Sequence, residues 1–95
     1  MATKTNEFEA AQHLSSLESQ AELLTDALDS GDAGYIANAL GVIARARGVT
    51  EVASGAGVTR EALYKTLGPD GDPKMTTFLG VVKSLGFTLS VRTAR

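Results

Sequence analysis

The chain has no cysteine, no tryptophan, one histidine and two prolines among its 95 residues. Without cysteine it forms neither a disulfide nor a thiolate metal site, and a reducing, cytoplasmic setting is expected. The one histidine, His13, has no clustered acid pair to work with. A general acid–base centre is therefore not expected, and neither is an enzyme, a metal site or a cofactor. No stretch approaches the ~20 apolar residues that a membrane-spanning helix needs. The opening MATKTNEFEAAQHL is polar and acidic, so no signal peptide is expected. The glycines do not fall into the Gly-x-x-x-x-Gly-Lys pattern that cradles phosphates. Asp70-Gly71-Asp72 hints at calcium, but an EF-hand needs a bidentate glutamate at its twelfth position, and counting from Asp70 that position is Val81. The two aspartates read as turn residues between Pro69 and Pro73.

What is present is the composition of an ordinary folded domain. At 43% hydrophobic and 21% charged residues, the chain is apolar enough to fold and too apolar for wholesale disorder. The core of so short a chain is thin, which makes a partner subunit useful. The net charge of −2 conceals an asymmetry. Residues 1–44 hold one base and seven acids, a balance of −6; residues 45–95 hold eight bases and four acids, a balance of +4. Such a chain is suited to two kinds of partner.

The periodicity predicts an all-α fold of about five helices with a short C-terminal β-strand. Residues 1–7 are expected to be a flexible tail and 8–95 a single helical domain. Within it, 8–48 form N-terminal helices, 49–67 a helix-turn-helix, 68–75 a loop, 76–86 a helix and 87–92 a strand. Phe8, Ala11 and Leu14 share one side of a short helical turn. Ser15-Ser16-Leu17-Glu18 fits a capping box, and Leu17, Leu24 and Leu28 then make an apolar stripe ending at Ser30-Gly31. Asp32 caps the next helix, whose buried face holds Tyr35, Ile36, Ala39, Leu40, Ile43 and Ala44. Arg45 and Arg47 in its last turn complement the helix dipole, and Gly48 ends it. The last helix directs Phe78, Leu79, Val82 and Leu85 to the core. Phe87, Leu89 and Val91 then alternate with polar residues. One strand in a helical chain must be frayed, packed on the body, or paired with its copy in a second subunit.

The informative stretch is Thr50 to Lys65. A helix-turn-helix needs a small residue where its helices touch and a residue tolerant of positive φ four positions later; Ala53 and Gly57 supply them. Val52, Ala56, Val58 and Leu63 are spaced to hold the second helix down, and Thr59 caps it. With Leu63 inward, Arg60, Glu61, Tyr64 and Lys65 project outward. Arg60 stands near the end that such motifs push into the major groove, where arginine suits guanine O6 and N7. Tyr64 and Lys65 reach bases or phosphates one turn on, and Thr50 with the first helix's free N–H groups can meet a phosphate. The expected DNA-binding set is Thr50, Thr59, Arg60, Glu61, Tyr64 and Lys65. Glu51 and Glu61 oppose it with negative charge, and Gly55 weakens a short helix by ~1 kcal/mol.

The chain resembles the addiction-module antidote proteins, HigA-like antitoxins of type II toxin–antitoxin pairs. The likeness covers about Phe8 to Val91. It is carried by Phe8-Glu9-Ala10-Ala11, by the run from Leu40 to Gly48, by the run from Gly57 to Leu67, by Pro69-Asp70-Gly71-Asp72-Pro73 and by Leu85-Gly86-Phe87. Val42, Glu51 and Met75 depart from the pattern. The resemblance implies a fold like the DNA-binding domain of the phage lambda repressor. It also implies a cognate toxin of the RelE/ParE type and a transcriptional repressor that binds double-stranded operator DNA and silences its own operon; the orphan strand and the thin core make a homodimer the expected state. The alternatives are a helix-turn-helix regulator without a toxin and a protein-interaction module with little DNA affinity.

Overall fold

A computed structural model describes residues 16–94, and five helices make up their regular structure: α1 (Leu17–Ser30), α2 (Ala33–Arg47), α3 (Val49–Ala56), α4 (Arg60–Thr66) and α5 (Met75–Ser84). The expected tail at 1–7, the turn through Phe8 to Leu14, His13 and Ser15 lie outside the described residues. None of the five helices is long and apolar enough to cross a membrane.

Local chemistry sets most of the boundaries. Ser16 caps α1, its hydroxyl accepting the Ser19 amide at 3.1 Å. The expected box ran from Ser15 to Glu18; the cap sits one residue later, and Glu18 stays exposed. Packing accounts for the shift, because the buried stripe of α1 is Gln20, Leu24 and Ala27, while Leu17 is 56% exposed. Asp32 caps α2 by accepting from the amides of Gly34 and Tyr35, and Thr59 caps α4 by accepting from Ala62. Between α3 and α4 the chain turns at Gly57, whose φ of 75° is the left-handed value that glycine adopts without strain. The Gly57 amide donates to the Ser54 carbonyl and that of Val58 to the Ala53 carbonyl, which closes the end of α3.

Leu24, Leu40, Ile43, Val52, Ala53, Leu63, Leu67, Val81, Val82 and Leu85 form the heart of one core shared by all five helices. Helix α2 runs through its middle, with Leu40 and Ile43 fully buried. It comes so close to the end of α4 that a methyl group on Gly41 would strike the Leu67 carbonyl oxygen. Helix α5 begins at Met75, one residue before the expected start, and its inward face differs from the expected one. Val81 and Val82 are buried and Leu79 is 48% exposed. At ~100° per residue, Phe78, Val81, Val82 and Leu85 share a face, and Leu79 falls off it.

The expected strand at 87–92 is absent; no strand occurs among the described residues. Gly86 and Phe87 close α5 with amide hydrogen bonds to the carbonyls of Lys83 and Val82. Phe87 tucks against the core, and the segment runs on along α1, where Arg92 meets Asp29. A lone strand has no ladder to join within one chain, and of the alternating apolar residues only Phe87 packs on the core, Val91 being 98% exposed.

Candidate nucleic-acid interface

The outer face of α4 carries the side chains that the sequence singled out. Leu63, buried to 2%, pins the helix to the core, and Thr59 fixes where it starts. Arg60, Glu61, Tyr64 and Lys65 are all exposed. The Arg60 guanidinium carbon lies 5.8 Å from the centre of the Tyr64 ring, so the two are stacked by a cation–π contact across one helical turn. That contact restrains an otherwise mobile arginine before any ligand arrives. Thr59 is exposed too, but its hydroxyl oxygen already accepts from the Ala62 amide at 3.0 Å, which is a structural duty.

Thr50 is exposed on the first turn of α3. No side chain caps this helix. Glu51 folds back instead: its Oε1 lies 2.6 Å from where a Gly48 β-carbon would stand, placing a carboxylate beside the helix N-terminus. Negative charge there is favourable to the helix. It also occupies the region that an approaching phosphate would use.

Sequence reasoning missed Arg45. It is exposed and shares a shallow depression with Val49 and Tyr64, so a third element, α2, adds a cation beside α4. Arg45 and Arg47 looked equivalent in the last turn of α2, but two residues are about 200° apart around a helix. Arg47 accordingly points inward. Its guanidinium donates to the Gln20 side-chain oxygen at 2.6 Å and to the Leu85 carbonyl at 2.7 Å, clamping α1, α2 and α5 together. That angular offset is the signal that could have separated the two arginines.

The assembled surface suits an anionic polymer. Arg45, Arg60 and Lys65 supply cations, Tyr64 supplies a ring that can stack or hydrogen-bond, and Glu51 and Glu61 set local repulsion against them.

Residues 4–93 match the family described as "Probable addiction module antidote protein". A protein of Haemophilus influenzae named "Uncharacterized protein" is 37% identical over 95 residues, covering all of this chain and 98% of the relative. No solved structure matches. With almost the whole sequence inside the match, this chain belongs to the family of probable addiction module antidote proteins.

Proposed function

We propose that the chain is the antitoxin of a type II toxin–antitoxin module, HigA-like, acting in the cytoplasm. In this reading it neutralises a RelE/ParE-type toxin and represses its own operon by binding operator DNA. The unit formed by α3, the Gly57 turn and α4 carries the DNA-binding part. Ala53 is buried between the helices, the turn is glycine-enabled, and the second helix is capped and pinned with a charged outer face. These are the requirements of a helix-turn-helix in a lambda-repressor-like fold. A homodimer would present two such units to a two-fold symmetric operator. Met75 and Leu79, one turn apart on α5 and 68% and 48% exposed, give a second copy apolar surface to cover.

The contrast between Arg60 and Lys65 tests the DNA reading. Arg60 is the first outward residue of α4 and is pre-oriented by Tyr64, so it reads a base. Arg60→Ala then costs ~1–3 kcal/mol on the operator and relaxes preference at one base pair. Lys65→Ala weakens binding to every sequence alike and makes the salt slope shallower by ~0.9 for each phosphate it no longer neutralises. Mobility shifts on the chain's own promoter and on scrambled DNA, at several salt concentrations, separate the two. Equal loss on both DNAs for Arg60→Ala would make Arg60 a phosphate ligand, and no shift with the unaltered chain would remove the DNA function altogether.

A protein-interaction module with little DNA affinity is the second reading, and the placement of Glu51 favours it. Glu51→Gln keeps the side-chain shape and removes the charge. Under the antitoxin reading it tightens binding to all DNA about two- to fivefold, the equivalent of ~0.3–1 kcal/mol for a charge at a helix terminus. Unchanged affinity in low salt would show that no phosphate approaches α3.

A further inference from the structure

After Gly86 the chain turns back along α1, and the two enclose a groove of about 200 Å³. Its lining is mixed: Leu28 of α1 and Phe87 and Leu89 of the returning segment stand among Thr25, Thr88 and Ser90, with Asp29 and Arg92 at the rim. A second depression, lined by Ala21, Glu22, Thr25, Asp26 and Asp29, continues it along α1. No residue of α3 or α4 lines either one.

The rim owes its acidity to the helical repeat. Glu18, Glu22, Asp26 and Asp29 recur at intervals of four, four and three residues, which puts them on one side of α1, and all four are exposed. Asp26 accepts a short hydrogen bond from the Tyr35 hydroxyl, which orients its carboxylate and holds the phenol above its usual pKa. One cation is already seated on this ridge. The Arg92 guanidinium lies 3.7 Å from Asp29, with the two side chains 79% and 58% exposed, a pairing too wet to contribute much. Beyond Phe87 the segment buries little, since Leu89 is 38% and Val91 98% exposed.

We infer that this groove is the docking site for a basic amphipathic segment of the partner toxin, and that Arg92 holds Asp29 until a cation of the toxin displaces it. The inference rests on the antidote reading for the partner's identity. Charge complementarity selects the occupant: an apolar residue enters between half-buried Leu28 and Phe87 while Lys or Arg side chains take the carboxylates, Arg92 being the chain's own stand-in. Docking here leaves the outer face of α4 uncovered, so one chain can hold toxin and DNA together.

The test uses the full chain and, as probe, the protein encoded by the adjacent reading frame, titrated calorimetrically. Glu22→Lys with Asp29→Lys should weaken binding at least tenfold, with melting temperature and operator mobility shift unchanged. Arg92→Ala should tighten binding twofold or more, because a resident cation no longer has to leave. If the unaltered chain binds the probe and the double variant binds it equally well, the groove is the wrong site and the antidote reading stands. If the unaltered chain does not bind the probe, the partner reading fails with it. Loss of affinity in Arg92→Ala would overturn the displacement, and a changed oligomeric state with unchanged probe affinity would make the groove an interface between copies of this chain.

Discussion

Arg47→Ala lowers the free energy of unfolding by about 2–4 kcal/mol, whereas Arg45→Ala changes it by less than about 0.5 kcal/mol. The two arginines are neighbours in the same helical turn, and dipole complementarity alone would make them equal. The difference lies in where their donors go. Arg47 gives one hydrogen bond to fully buried Gln20 and one to the carbonyl of fully buried Leu85. Hydrogen bonds from a charged donor contribute ~1.5–3 kcal/mol each, and a buried acceptor that loses its donor keeps the cost of desolvation. Lysine does not rescue the site, because a single ammonium cannot reproduce a planar fork spanning two oxygens on different elements. Urea unfolding followed by circular dichroism measures all three variants. Equal losses for Arg45→Ala and Arg47→Ala would show that the clamp contributes nothing beyond the helix dipole.

Gly41→Ala destabilises the fold by about 3 kcal/mol, at the upper end of overpacking costs. Helix propensity alone argues the opposite, since alanine is favoured over glycine in a helix interior by ~1 kcal/mol. The close approach decides the sign. An added methyl would meet the Leu67 carbonyl oxygen, which is backbone and cannot rotate out of the way. Either α2 or the end of α4 must shift, and each carries a fully buried leucine, Leu40 and Leu67. Gly68→Ala is the control. A methyl there meets nothing within 4 Å, so the substitution is neutral or stabilising by up to ~1 kcal/mol through the unfolded chain. Thermal melts that rank Gly41→Ala level with Gly68→Ala would mean that α2 and the end of α4 have room to move apart.

The sequence makes the local features legible because their causes are local. Asp32 and Thr59 accept from amides two or three residues on, Gly57 donates to carbonyls three and four residues back, and each stands where its side chain or dihedral is required. Ala53 and Leu63 follow from the same short-range spacing. Features that depend on distant partners were not legible. Gln20 is buried because Arg47, 27 residues on, reaches it. Leu79 was expected inward on hydropathy alone, although the helical repeat of Phe78, Val81, Val82 and Leu85 leaves it off the buried face. Gly55 looks like a defect in a short helix until α5 is in place, when a methyl on it would collide with the Ser84 side chain. The alternation of residues 87–91 is compatible with a strand or with a segment lying on a helix, and only the missing ladder decides. On the candidate interface, the outer residues of α4 were all legible, and Arg45 was the one absentee.

The clamp has a consequence for how the molecule opens. Among the described residues helix α1 packs chiefly on one neighbour, α2, and Arg47 ties it to the rest of the body. Helices held by a single neighbour detach at a fraction of the global unfolding free energy, as a unit, while the remainder stays folded. The amides of α1 therefore exchange with solvent ahead of those in α2, and a protease meets α1 unwound long before it meets the core. A protein seated along α1 keeps that helix closed, so occupancy of the groove controls how long each copy of the chain survives as well as what it holds.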